Sequence, residues 1–282
     1  MSQVVVLPGA EDARLAATGV LLSRPQCSSV PECRTVYGLR RGRVGTAPLA
    51  AYYLPASRRE DTAAMPGPVR PEGLAMLPLL AELAERMCPW VRVDVVPSIL
   101  THRGNDGFGA NRAVWSAGGR DYSEAGGLAL THDGLILLAL RAPDFMVDTL
   151  CHEIMHQVWW TALSMEARGV LEATVAQGPR WPGAYYGCPE EQVARMFAAW
   201  CLVRVGGMPS HDHDVSVLTA HGLFEQVWTG RMADAAIRRG LVTVSDEARA
   251  ARGLLPPPAP PSPFLNRVAA AAWAWARERV AD

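Results

Sequence analysis

Apolar residues recur at helical spacing along five stretches of the chain. The helices predicted from this spacing cover 72–87, 144–165, 165–176, 189–205 and 215–239. Pro78 lies inside the first of them, so we expect its regular part to begin only there, with the proline in the first turn. The helix at 144–165 is apolar on nearly every side, which is typical of a helix buried at the centre of a domain.

Between these helices, shorter apolar runs bounded by turn residues predict β-strands. These strands cover 90–96, 127–131 and 135–140. Asp133-Gly134 favours a hairpin turn between the last two, and the run Arg41–Gly45 predicts another hairpin within a β-rich segment at 1–55. The segment 101–126 is rich in Gly, Asn and Asp, which predicts an exposed loop with one short strand.

Changes in composition divide the chain into three parts. A β-rich segment that ends in a Pro-, Ala- and Arg-rich linker covers 1–70, and a central domain covers 71–245. The remainder, 246–282, is a Pro-rich spacer followed by an Ala-rich helix that carries Trp273 and Trp275. Because those two rings must be buried against a surface, residues 206–282 could act as a latch over a cleft.

The overall composition is that of a soluble globular protein, with 49% hydrophobic and 20% charged residues. All 27 basic residues are arginine, which excludes a mechanism based on a lysine nucleophile or Schiff base. The 27 basic side chains are balanced by 28 acidic ones. This balance argues against a protein that binds nucleic acid through its overall charge.

The hydrophobic pattern does not predict association with a membrane. It contains no apolar window of about 18 residues, and no positive charge precedes the N-terminal apolar run as it would in a signal peptide. The six cysteines are scattered without a C-x-x-C motif, as expected for reduced thiols, and only Cys27 and Cys33 could pair. We therefore expect a cytoplasmic protein.

The helix predicted at 144–165 contains the motif H-E-x-x-H, formed by His152, Glu153 and His156. Residues four apart lie on one face of a helix, so the two imidazoles could bind one Zn²⁺ from the same side. Glu153 would be near enough to a metal-bound water to act as its general base. Such polar groups are costly in an apolar helix unless a metal or hydrogen bonds satisfy them.

A metal site of this kind needs a third protein ligand from another segment. Glu191 is the first candidate, because it lies in the first turn of the helix predicted at 189–205, where a carboxylate is favoured electrostatically. Its neighbour Glu190 is the alternative, since only one of two adjacent residues can face the same cleft. Cys188, three residues before Glu191, could also approach the ion, although a small buried thiol is its ordinary role.

The two motifs together resemble those of the ImmA/IrrE-type metallopeptidases and related zincin domains of phages and mobile elements. The shared features are the H-E-x-x-H motif and a downstream E-x-x-A-x-x-F-A segment that begins at Glu191, and the resemblance spans 72–205. It implies an α+β, zincin-like fold in which a small mixed sheet packs on the motif helix. It also implies a gluzincin site with Zn²⁺ held by His152, His156 and Glu191. Metzincins are excluded, because Trp159 and Ala162 replace their later Gly and His.

From these residues we expect a zinc-dependent metallopeptidase that hydrolyses peptide bonds in a protein or peptide substrate. The alternative is a zincin-derived regulatory or binding module for a partner or nucleic acid, without proteolytic activity. Glu153 favours the enzyme, because a purely structural zinc site has no need of a base. The strand at 135–140, if it formed a sheet edge beside the cleft, could hold an extended peptide by strand addition.

Three further groups are candidates for supporting roles. A metal cluster or an oxyanion donor could be formed by residues 211–214, with the sequence His-Asp-His-Asp, although such a stretch is more often a solvated loop. Tyr185 or Tyr186 could stabilise a tetrahedral intermediate, or could simply pack. The basic hairpin tip around Arg41 could touch an anionic partner, or could be a solvated turn.

Overall fold

The computed structural model of the protein describes residues 31–49, 52, 62–65, 70–102, 115–117, 120–176, 187–208 and 221–254. The chain divides into two compact units, Met1–Thr243 and Val244–Asp282. The first unit is a mixed α+β structure, which confirms the predicted α+β class.

The described helices of the first unit are six in number when single turns of 3-10 helix are set aside. They are α1 (Pro71–Met87), α2 (Pro143–Thr161), α3 (Met165–Val175), α4 (Pro189–Arg204), α5 (His221–Trp228) and α6 (Arg231–Arg238). Prolines open α1, α2 and α4, where the missing N–H costs nothing and the fixed φ suits the first turn. Helix α2 carries the H-E-x-x-H motif.

The described strands form two sheets. They are β1 (Thr35–Arg40), β2 (Arg43–Pro48), β3 (Thr62–Met65), β4 (Arg92–Val96), β5 (Ser98–His102), β6 (Trp115–Ala117), β7 (Arg120–Ala125), β8 (Gly127–Leu130) and β9 (Leu135–Ala139). The first sheet has the order β2-β1-β4-β9-β8, in which β4 and β9 are parallel and all other neighbours antiparallel. The second is antiparallel, with the order β3-β5-β7-β6.

The chain passes between the two sheets at two bends. Pro97 separates β4 from β5, and Gly126 separates β7 from β8. A side chain at Gly126 would meet the ring of Phe145 at 2.7 Å, so the bend brings the backbone directly against α2. An apolar cluster fills the space between the sheets. It contains Val36, Leu49, Tyr52, Ala64, Val96, Ile99, Leu130, Leu135, Leu137 and Ala139.

Strand β9 lies in the interior of the first sheet and every one of its residues is buried. The apolar cluster covers one face of β9, and α2 packs against it from the other side. A strand covered on both faces must be apolar throughout, which explains the continuous run of Leu and Ile without alternation. Helix α2 packs in turn against α1 and, most extensively, along α4.

Both predicted hairpins are present. The first joins β1 to β2 through Arg41 and Gly42, which have φ values of 52° and 65°, as a tight type I′ turn requires. The second joins β8 to β9 through a turn of 3-10 helix that ends at Gly134, where φ is 57°. The strand predicted at 90–96 is observed as β4.

Several predicted boundaries are wrong. Helix α1 begins at Pro71, so Pro78 lies inside a regular helix and not in its first turn. The helix predicted at 144–165 ends at Thr161, because Ser164 caps α3 by accepting a hydrogen bond from the Ala167 amide. The helix predicted at 215–239 is interrupted at Gly230, whose φ of 78° no continuous helix allows.

The second sheet is the larger departure from expectation. The segment 101–126, predicted as a loop with one short strand, contains β6, β7 and the end of β5. The linker predicted at the end of 1–70 contributes β3. Both segments lack the continuous apolar runs of β9, and the second sheet supplies Ala64 and Ile99 to the apolar cluster, with Ala125 packed against it.

In the second unit the structure describes one short helix, α7 (Asp246–Ala251), which is capped by the side chain of Ser245. The predicted spacer and C-terminal helix, with Trp273 and Trp275, lie outside the described residues. None of the described helices is both long enough and apolar enough to cross a membrane.

The described cysteines are in two states. Cys151, Cys188 and Cys201 are free thiols, as predicted. Cys33 is in a disulfide, and it is one of the two cysteines that the sequence left open to pairing. Cys27 lies outside the described residues.

Candidate metal centre

The packing of α4 along α2 brings the two sequence motifs together. Val193 and Phe197 of α4 are fully buried, as is Ile154 of α2, and they fix how the helices face each other. Pro189 starts α4 immediately before its two adjacent glutamates, which therefore lie in the first turn. The N-terminal end of α4 thus lies beside the middle of α2, where the two histidines are one turn apart.

Three side chains converge at this point. The Nε2 atoms of His152 and His156 are 3.0 Å apart. The carboxylate of Glu191 spans both rings, with Oε1 at 3.3 Å from His156 Nε2 and Oε2 at 3.4 Å from His152 Nε2. Among the described residues these three form the group that could hold a metal ion, with all ligand atoms within 4.8 Å of one another.

The donor set fits a small divalent ion in two respects. A tetrahedron with metal–ligand bonds of about 2.0–2.1 Å has edges of about 3.3–3.4 Å, close to the separations observed between these donors. Glu191 Oε2 is also buried, and its contacts with His152 Nε2 at 3.4 Å and Arg195 Nη2 at 3.8 Å are too long or poorly aligned to be normal hydrogen bonds. A buried carboxylate oxygen in this state is costly unless a cation satisfies it.

The protonation states depend on the same contacts. Burial alone would lower the pKa of His156, but its bonds to Glu190 and Glu191 outweigh burial and raise that pKa to about 10. Burial would raise the pKa of Glu191, but the two histidines lower it well below its usual range. Without an ion the cluster therefore holds an imidazolium next to a carboxylate, and an ion that binds there must displace the proton.

Glu153 lies on the neighbouring side of α2 and is buried. Burial raises the pKa of its carboxyl group, although the nearby His152 and His156 act in the opposite direction. The carboxylate accepts a hydrogen bond from the backbone N–H of Ala129 in β8. Glu153 is therefore an acid–base group held between the motif helix and the edge of the first sheet.

This close approach of β8 to α2 depends on Gly127. A Cβ atom at this position would lie 2.4 Å from Thr149 Cγ2 and 3.0 Å from both Cγ and Oε1 of Glu153. Those separations are too short for any side chain, so glycine is required for the strand to lie against the helix. No pattern in the sequence predicts this contact, since it arises only from the tertiary packing.

Both adjacent glutamates reach the site, but they contact different atoms. Glu191 faces the two Nε2 atoms, whereas Glu190 Oε1 lies 2.6 Å from Nδ1 of His156, on the opposite side of that ring. Glu190 Oε1 also accepts a hydrogen bond of 2.7 Å from Nε1 of Trp160. Sequence reasoning missed Trp160, although its position one turn after His156 places both on the same helix face.

Of the remaining candidates, only Cys188 lies among the described residues, and it does not join this group. Cys188 is a free, partly buried thiol at the N-cap of α4 and is not among the three grouped donors. Tyr185, Tyr186 and residues 211–214 lie outside the described residues.

The edge of the first sheet is not where the sequence suggested. Strand β9 lies between β4 and β8, and β8 is the edge among the described strands. Ala139 N–H donates to Gly126 O, which makes these two residues a hydrogen-bonded pair. By the alternation of an antiparallel ladder, the main-chain groups of Gly127 and Ala129 then point away from β9, on the side where no described strand pairs with β8.

Comparison with protein-family models, with curated proteins and with solved structures finds no match to this chain. Its function is therefore inferred from the site itself.

Proposed function

We propose that the protein is a zinc-dependent metallopeptidase with a zincin-like arrangement of its site. The observation that carries this proposal is the convergence of His152, His156 and Glu191 beside the buried carboxyl group of Glu153. A structural zinc site is closed by four protein ligands, whereas three ligands with an acid–base group alongside are typical of catalytic sites. Nitrogen and oxygen donors in this number make zinc the first choice of metal.

His152, His156 and Glu191 would hold the ion, which when bound supplies Lewis-acid activation of a water molecule and of the substrate carbonyl. Glu153 would then accept the proton of the attacking water at its carboxylate and deliver it to the nitrogen of the leaving amine. The raised pKa of Glu153 suits this role, because a base must hold the proton long enough to pass it on.

The position of β8 at the edge of the described strands of the first sheet supports a peptide as substrate. An extended chain added to β8 would bond to the outward main-chain groups of Gly127 and to the carbonyl of Ala129, because the Ala129 N–H is already donated to Glu153. Those groups lie next to Glu153, since Gly127 touches its side chain and Ala129 bonds to its carboxylate. A peptide bond held along this edge would therefore lie beside the acid–base group.

The test combines metal analysis with peptide hydrolysis for the purified full chain. We expect one zinc per wild-type chain and almost none in His152→Ala. Glu153→Gln should retain zinc but lose about 10²–10⁴-fold in the rate of hydrolysis of an unfolded protein or a peptide library, because only the proton transfer is removed. Glu166→Gln, at an exposed position in the first turn of α3, is the matched control and should behave as wild type.

Two outcomes would contradict the proposal. Wild-type protein that purifies without metal and does not take up added zinc would exclude the site. Zinc-loaded wild type that hydrolyses none of these substrates would favour the alternative, a regulatory or binding module without proteolytic activity.

A further inference from the structure

Glu190 lies outside the group of three metal donors and contacts one of them, His156. The donor and the acceptor of this hydrogen bond can be assigned. Its Oε1 atom is 2.7 Å from Trp160 Nε1 and 2.6 Å from His156 Nδ1. An indole N–H is a donor only, so Glu190 must be the acceptor in the first contact. A carboxylate oxygen is likewise an acceptor for the imidazole, which places a hydrogen on Nδ1 of His156.

That hydrogen determines which nitrogen of the ring can bind an ion. When Nδ1 of His156 carries a hydrogen, the ligand lone pair of the neutral ring is on Nε2. Nε2 is the atom that faces His152 and Glu191, at 3.0 and 3.3 Å. The Glu190 contact therefore selects the tautomer that the three-donor site needs.

Trp160 is itself held in place from α3. Its ring is 52% exposed, which is unusual for so large an apolar group without a specific contact. The guanidinium of Arg168 lies 5.0 Å from the ring centroid, and its Nη2 donates a 3.1 Å hydrogen bond to the main-chain carbonyl of Trp160. The position of the indole, and through it that of Glu190, is thus fixed by a neighbouring helix.

We propose that Glu190 and Trp160 form a positioning pair that orients His156 for metal binding, with Glu191 alone as the carboxylate ligand. This inference rests on the metal site of the proposed function, but it does not depend on peptide hydrolysis. A carboxylate that accepts from a ligand histidine fixes the ring and increases its basicity, and its loss typically costs 10–100-fold in metal affinity.

The experiment measures zinc dissociation constants of the full chain by competition with a chelator. Glu190→Ala should weaken zinc binding 10–100-fold, and Glu190→Gln less, because the amide oxygen can still accept from Nδ1. Trp160→Phe, which removes only the indole N–H, should weaken binding several-fold in the wild type and not at all in Glu190→Ala. Glu172→Gln, exposed on α3, is the control and should leave the constant unchanged.

Two spectroscopic signatures separate positioning from ligation. With Co²⁺ in place of zinc, Glu190→Gln should keep the visible absorption intensity of a four-coordinate ion, whereas Glu191→Gln should lose it. In zinc-loaded protein with ¹⁵N-labelled histidine, the His156 Nδ1 proton should move upfield in Glu190→Gln, because its hydrogen bond is weaker. If Glu190 only supported the fold, its replacement would not shift the resonance of the His156 Nδ1 proton. It would also leave the effect of Trp160→Phe on zinc affinity unchanged.

The inference is overturned if both Glu190 variants bind zinc within twofold of wild type. It is also overturned if Glu190→Gln loses the Co²⁺ absorption as fully as Glu191→Gln, which would make Glu190 a ligand. Failure of wild type to bind zinc would instead remove the metal site itself, and with it the proposed function. If the variants change zinc affinity as expected but the wild type hydrolyses no peptide, the inference stands and only the proposed peptidase activity is contradicted.

Discussion

Replacing Gly127 by alanine tests the contact between the sheet edge and the motif helix. The new Cβ atom would lie 2.4 Å from Thr149 Cγ2, whereas carbon atoms in contact are about 3.5 Å apart or more. As long as Thr149 keeps its rotamer, strand and helix must therefore separate by about 1 Å, and a β-branched threonine has only two χ1 rotamers to choose from in a helix. Overpacking of this kind costs about 1–3 kcal/mol in the free energy of unfolding.

The same substitution should also affect hydrolysis. The added methyl group meets Cγ and Oε1 of Glu153 at 3.0 Å, so this carboxylate must shift as well. A displacement of about 1 Å in an acid–base group can cost about 10²-fold in rate. Zinc affinity should be unchanged, because Gly127 lies against Glu153 and Thr149 and not against the three metal donors.

Urea denaturation of four variants provides the assay. Thr149→Ser removes the clashing Cγ2 atom and should by itself cost about 1 kcal/mol, as the loss of one buried methyl group does. In the double variant Gly127→Ala/Thr149→Ser the two effects should couple, so that the total cost is smaller than the sum by about 1 kcal/mol or more. Gly169→Ala is the control: this helical glycine of α3 has free space around it, so alanine should stabilise by about 0.5–1 kcal/mol. A Gly127→Ala variant as stable as wild type, with no coupling to Thr149, would refute the proposed close contact.

Three further predictions concern the metal site. Because the pKa of His156 is raised from 6.5 to about 10 in the metal-free protein, zinc binding at pH 7.5 should release close to one proton from this ring, measured by calorimetry in buffers of different ionisation enthalpy. By the same linkage the contribution of this ring to the stability of the metal-free protein should be fully present below pH 6.5 and be lost as the pH rises towards 10, and a flat urea midpoint over this interval would contradict it. Free zinc at a hundred times its dissociation constant should stabilise the fold by about 2.7 kcal/mol. This corresponds to a rise of roughly 5–10 °C in Tm for a unit of this size. A chelator should reverse the rise in Tm, and His152→Ala should not show it.

The sequence was sufficient to predict features that depend only on residues close together in the chain. His152 and His156 are one helical turn apart, so their spacing alone predicts that they share a face, and the positive-φ glycines at 42 and 134 mark the two hairpins. The sequence was insufficient to predict features that depend on how distant segments pack together. The hydrophobic pattern does not distinguish Glu190 from Glu191, and only the register of the E-x-x-A-x-x-F-A segment favoured Glu191, because their roles follow from the angle at which α4 meets α2. The second sheet was missed because its strands are short and rich in polar residues, so turn composition outweighed a weak strand signal.

The three donors differ in what keeps them together. The two imidazoles stay adjacent as long as one helix remains wound, since the main-chain bonds of α2 set their spacing. Glu191 stays near them only while α4 remains docked on α2, which is a contact between segments distant in the chain. Under gradual denaturation the site should therefore decay in two stages, first to a pair of histidines of low affinity and only later to an uncoiled chain. Zinc that binds all three donors joins a short-range element to a long-range one, and in doing so makes their unfolding a single event.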